Sequence, residues 1–192
     1  RSRRSRERVK KGSSVKWLGI LLSGRGSNFL AIAKAIREQR LLGARIAVVL
    51  SNREDAAGLA AARELKIPAF AIPSAGRKRR EHDAEVMARL HQHRVDLVCL
   101  AGYMRLITEE FVRAFPNRIL NIHPSLLPAF PGLDAQRQAL EYGAKVAGCT
   151  VHLVDEAVDH GVIILQKAIP IREDDTVETL SARLRQQEHA IY

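Results

Sequence analysis

From Lys16 onward, short apolar runs alternate with segments whose apolar residues follow helical spacing. Trp17–Leu22, Ile46–Leu50, Pro68–Ile72, Val95–Leu100 and Arg118–Ile122 are five or six residues each. Runs this short that can be apolar on both faces read as strands buried inside a sheet. Between them, Phe29, Leu30, Ile32, Ala33 and Ile36 recur at helical spacing, and Ala56–Leu65 is rich in helix formers. Residues 81–93 predict a helix with Val86, Met87 and Leu90 inward. Thr108 and Glu110 open a short helix that must end before Pro116, and another helix is expected near Ala135–Tyr142. Cys149–Val154 and Gly161–Pro170 read as two later strands, and Thr176–Ala190 as a closing helix. Such alternation predicts an α/β fold: a mainly parallel twisted sheet flanked by helices. The last two strands are joined by a short loop, so an antiparallel edge is expected near the C-terminus.

At 192 residues the chain suits one domain. Its formal charge of +10 suggests polyanion binding until the charge is located. Residues 1–14 hold seven basic groups against Glu7, and Arg77-Lys78-Arg79-Arg80 adds four more. The remainder balances twenty basic residues against twenty acidic ones. The body is therefore neutral, which argues against a broad nucleic-acid face. Residues 1–14 lack hydrophobic periodicity and are expected to be a disordered basic tail, with 15–192 as the single folded domain. The two cysteines, Cys99 and Cys149, lie in strand-like runs and read as small buried residues. No apolar run approaches a membrane span, and no signal-peptide core follows the basic start. A cytoplasmic protein is the default expectation, as a monomer or homodimer. The first residue is Arg1, which points to a fragment or an uncertain start.

In a parallel sheet, ligands bind beyond the carboxyl ends of the strands. Four segments lie there: Ser23–Asn28, Ser51–Asp55, Gly102–Ile107 and Asn121–Pro131. In the first, two glycines permit close backbone approach, and the following helix offers free N–H groups to a phosphate. The competing reading is a tight turn with Ser27 or Asn28 as N-cap. A dinucleotide fingerprint fits less well: Phe29 stands where a third glycine belongs, and Ser51-Asn52-Arg53 lacks an acidic ribose ligand. Asn121 and His123 are two apart at the end of a strand and face one side. Together they can stabilise negative charge developing on a carbonyl oxygen. A surface histidine beside a turn-capping asparagine is the competing reading. The segment Gly148–Gly161 enters an acidic loop whose carboxylates can pair with His123 and hold it protonated, or can simply solvate a hairpin. The remaining histidines have no metal-ligand spacing, so no metal is expected. No Gly-x-Ser-x-Gly elbow is present.

These motifs, in this order, make the chain resemble the phosphoribosylglycinamide formyltransferase family from about Lys16 to Tyr192. They are Ser-Gly-x-Gly-Ser-Asn at 23–28, Val-Leu-Ser-Asn-Arg at 49–53, Leu-Ala-Gly-Tyr-Met-Arg at 100–105 and Asn-Ile-His-Pro-Ser-Leu-Leu-Pro at 121–128. Pro-Gly-Leu at 131–133, the 148–161 segment and Gln187-Glu188-His189 complete the set. The resemblance implies a Rossmann-like sheet of the formyltransferase type. It also implies 10-formyltetrahydrofolate as co-substrate, without a metal, and glycinamide ribonucleotide as acceptor. By the same resemblance, Asn121, His123 and Asp159 are catalytic, and Gly26, Ser27, Asn28 and Glu188 bind the ribonucleotide. Arg79, Met104, Arg105, Leu106, Ile107, Asn121 and the loop Val154, Asp155, Glu156 and Ala157, running on to Asp159, are implied to hold the formyl-folate. Relatives continue past the position of Tyr192, so a shortened C-terminus is expected. Two alternatives stay open. One is a related formyl enzyme, a formylfolate hydrolase or a transferase acting on initiator tRNA, each expected to carry a further domain. The other is a nucleotide- or RNA-binding module that uses the basic tail.

Overall fold

The computed structural model describes residues 15–192. The basic tail expected at 1–14 lies outside the described residues. Seven strands form one sheet: β1 (Lys16–Leu22), β2 (Ala44–Ser51), β3 (Ala69–Ala71), β4 (Leu97–Leu100), β5 (Ile119–His123), β6 (Val146–Leu153) and β7 (Ile163–Pro170). Among the described residues five helices connect them, α1 (Ser27–Arg37), α2 (Ala57–Glu64), α3 (Arg79–Gln92), α4 (Glu109–Ala114) and α5 (Ala135–Tyr142), and α6 (Val177–Ile191) follows β7. Every expected element is present, with ends displaced by a few residues.

The spatial strand order is β3-β2-β1-β4-β5-β6-β7. The first five are mutually parallel. The antiparallel relation extends one strand further in than the C-terminal hairpin alone suggests. β6 runs against β5 as well as against β7. The order reverses between β1 and β4, which opens a crevice at their carboxyl ends.

Two apolar layers cover the sheet. On one face Leu21, Val48, Leu50 and Val98 pack with Val86 and Leu90 of α3 and Phe111 of α4. On the other, Ile20, Leu22 and Val49 pack with Phe29 and Ile32 of α1 and Leu59 of α2. Full burial of each such side chain contributes about 1.5–3 kcal/mol. Alternation along β1 and β2 divides consecutive apolar residues between these layers, which is why those runs are apolar throughout. Cys99 and Cys149 are free and buried, and desolvation pushes both thiols up to about 12.

Candidate functional site

The loop after β1 turns sharply at Gly26, with φ at 73°. A Cβ there would lie 3.0 Å from Gly58 Cα. Both facts require glycine, the first because left-handed backbone strains any L side chain. Gly26 itself is the N-cap of α1, with no side-chain cap. The competing reading of Ser27 or Asn28 as N-cap therefore does not hold: both lie in the first helical turn. Their backbone N–H groups point out of the helix start and need partners. The Asn28 side chain is buried and donates from Nδ2 to Glu188 Oε2 of α6 at 3.0 Å. Its buried Oδ1 has no partner among the described residues. Two residues 160 apart in sequence are thus in direct contact.

Asn121 and His123 end β5 on one face. His123 is 5% exposed, which removes the surface-histidine reading. Asp159 reaches it from the loop after β6: His123 Nδ1 lies 3.3 Å from Asp159 Oδ2. Asp159 adopts left-handed backbone at φ 51° and accepts the Gly132 N–H at 2.8 Å. On the other side of the ring, His123 Nε2–H donates to the Phe130 carbonyl at 2.9 Å. One carboxylate therefore ties together the end of β5, the proline-rich loop and the acidic loop.

Sequence reasoning passed over His152. It stands directly opposite Asn121 across the β5–β6 ladder and is 2% exposed. Its Nδ1 lies 2.9 Å from the Leu153 carbonyl, which can only accept, so Nδ1 carries the proton. Burial pulls its pKa below the usual histidine value, which favours the neutral ring. Nε2 is then a lone pair and accepts from Asn121 Nδ2 at 3.2 Å. This bond fixes the amide orientation and leaves Asn121 one further N–H to donate. His152 also lies 3.8 Å from Asp159 Oδ1. The signal that could have found it is cross-strand pairing: alternate residues of β6 and β5 must share a face.

The residues implied to hold a folate occupy the rim. Met104 and Leu106 are exposed, while Arg105 is half-buried with an unpartnered Nε. Tyr103, Ile107 and Val154 pack on one apolar cluster, which brings the 104–107 and 154–157 segments to the same side of the sheet. Arg79 begins α3 and is exposed, without an ion pair among the described residues. Its neighbours differ: Arg77 pairs with Glu85 at 2.9 Å and Arg80 with Glu110 at 2.6 Å. Asp155 and Glu156 are also engaged, with His160 at 2.8 Å and Arg113 at 3.1 Å. Val154–Ala157 line an open cleft of about 530 Å³ with Val112 and Arg113. Among the described residues no group of three His, Cys, Asp or Glu side chains is placed to hold a metal ion, and no helix is long and apolar enough to cross a membrane.

The sequence profile described as formyl transferase matches residues 17–192. The chain is 44% identical over 179 residues to the phosphoribosylglycinamide formyltransferase of Bacillus subtilis, covering 93% of this chain and 91% of that one. It is 46% identical over 176 residues to the trifunctional purine biosynthetic protein adenosine-3 of Drosophila melanogaster. That match covers 91% of this chain and spans only 13% of the Drosophila protein's length. Among solved structures, glycinamide ribonucleotide transformylase 1 from Symbiobacterium toebii superimposes with a TM-score of 0.90 at 55% identity. The match covers 95% of this chain and 85% of that one.

Proposed function

Because the chain belongs to the formyl transferase family, we propose that it transfers a formyl group from 10-formyltetrahydrofolate to the amine of glycinamide ribonucleotide, in de novo purine synthesis. Residues 15–192 are read as one catalytic unit, working in the cytoplasm as a monomer or homodimer. The observation that carries the reading is the Asn121–His152 and His123–Asp159 arrangement at the carboxyl end of β5, one strand beyond the β1–β4 reversal.

In this reading Gly26, Ser27 and Asn28 receive the ribonucleotide phosphate at the start of α1, where helix N–H groups and dipole favour an anion. Glu188, already bonded to Asn28, meets the polar part of the same substrate. The unpartnered Asn28 Oδ1 and Arg105 Nε fit polar ligands, since buried polar atoms are otherwise nearly always satisfied. Arg79, Met104–Ile107 and Val154–Ala157 hold the formyl donor. When bound, that donor supplies the activated formyl carbon.

The acceptor amine attacks this carbon, the folate nitrogen leaves, and one proton passes from amine to leaving nitrogen. Asn121, held by His152, aims an N–H at the oxygen that gains negative charge. His123 offers its Nε2–H once the Phe130 carbonyl gives way. Asp159 keeps the imidazole oriented through Nδ1, as carboxylates orient histidines in other acyl-transfer sites. Alignment of two bound substrates supplies much of the remaining rate. Incubation with both substrates should yield formylated ribonucleotide by mass spectrometry, and its absence with folded protein would reject the reading.

A further inference from the structure

Residues 104–107 have no regular secondary structure, yet both ends of the segment are held by side chains from distant parts of the fold. At its start, the Met104 N–H donates to Ser23 Oγ at 2.8 Å. Ser23 is buried, its hydroxyl donates to Asn52 Oδ1, and Asn52 Nδ2 donates to Ser74 Oγ at 3.2 Å. The relay crosses the carboxyl ends of β1, β2 and β3. Just past its other end, the Thr108 N–H donates to Asp83 Oδ2 at 2.7 Å.

Asp83 lies on α3 and is 1% exposed. Its Oδ1 faces His82 Nδ1 at 3.4 Å, and His82 Nε2–H donates to the Ile72 carbonyl at 2.8 Å. A buried carboxylate is costly unless it is bonded. Packing alone would be served by an apolar side chain, as at Val86 and Leu90 on the same helix. The carboxylate instead fixes a backbone N–H at the edge of an irregular segment. Between the two anchors sits Arg105, whose Nε is buried and unpartnered.

We propose that Asp83 is a positioning residue for the formyl donor. With the Ser23–Asn52 relay at the opposite end, it sets the backbone of Met104–Thr108 in its receiving conformation before the ligand arrives. Holding the segment in advance removes the ordering cost from binding. The inference rests on reading Met104–Ile107 as part of the formyl-donor site.

The test is steady-state kinetics on Asp83→Ala, Asp83→Asn and Arg105→Ala, varying each substrate with the other saturating. Asp83→Ala should raise KM for 10-formyltetrahydrofolate by about tenfold, with KM for the ribonucleotide unchanged. Asp83→Asn keeps an oxygen that can accept the Thr108 N–H and should recover most of that loss. A lower Tm with both KM values unchanged would overturn the proposal, because a purely structural role alters only the folded fraction. If Asp83→Ala fails to fold, Asn52→Ala at the opposite anchor should show the same selective rise, and an unchanged donor KM there would overturn it. Arg105→Ala separates the two claims. Donor KM raised by Arg105→Ala but not by Asp83→Ala removes only the positioning role. Donor KM raised by neither removes the reading of the segment and the inference with it.

Discussion

Asp159 holds three groups at once: the His123 ring, the Gly132 N–H and, more distantly, His152. Removing it leaves the imidazole without its orienting partner. Asn121→Ala, His123→Ala and Asp159→Ala should each lower kcat by at least about 10²–10³, the range for loss of one oxyanion donor or its support. Thermal melts should stay close to wild type, because these side chains lie beside the apolar layers and not within them. His152 makes a separate prediction. Burial favours its neutral form, so its native pKa lies below the ordinary value near 6.5. The stability tied to the neutral ring is fully present above 6.5 and is lost as pH falls through the lowered native value. Protonation there also removes the lone pair that holds Asn121. An NMR titration should place the His152 midpoint below 6.5, with kcat falling on the acid side, and a midpoint at or above 6.5 would refute this. The Asn121-x-His123 pair was legible from strand alternation. His152 was not, because its partner lies across a ladder that spacing along the chain does not reveal. Asp159, 36 positions beyond His123 in sequence, was reached only through resemblance.

The helix and strand boundaries were legible because apolar period and turn residues agree locally. Thr108 caps α4 through Phe111 N, and Thr176 with Thr179 forms a capping box on α6, as hydroxyl side chains at helix starts commonly do. The start of α1 misled because Ser27 and Asn28 have N-cap chemistry, while the backbone there needs the left-handed Gly26. The loop's glycines are not equivalent, which gives a prediction at this scale. A Cβ on Gly24 would meet nothing within 4 Å, whereas one on Gly26 meets Gly58 Cα at 3.0 Å. Gly24→Ala should leave KM for the ribonucleotide near wild type. Gly26→Val should raise it at least about tenfold and lower Tm, since both the φ and the close approach are lost. A selective loss of donor binding in Gly26→Val would mean that the loop is misassigned. The reversal of β6 against β5 was not foreseen, because no short connection announces it: α5 lies between the two strands.

Across the whole molecule, the last helix closes the site that the first loop opens. Asn28 bonds Glu188, and the single Tyr192 O–H proton is shared between the carbonyls of Leu100 and Leu120, each 3.1 Å away, across β4 and β5. A ligand that bridges α1 and α6 should therefore stabilise the entire fold. At a hundredfold excess over Kd the ribonucleotide adds about 2.7 kcal/mol, and Tm should rise by roughly 5–10 °C in a calorimetric scan. The Glu188→Ala protein should show a smaller rise. The neutral body beneath the +10 total was legible by locating the charges, and of the four-residue basic cluster Arg77 and Arg80 are spent on ion pairs. The Asn28–Glu188 and His123–Asp159 contacts were not legible from spacing, because they depend on the tertiary fold. The central claim is transfer to an amine, and the direct measurement is tetrahydrofolate release from 10-formyltetrahydrofolate with and without glycinamide ribonucleotide. The account predicts release only with the acceptor, one equivalent per formylated ribonucleotide. Release at the same rate without acceptor, with formate as product, would contradict it.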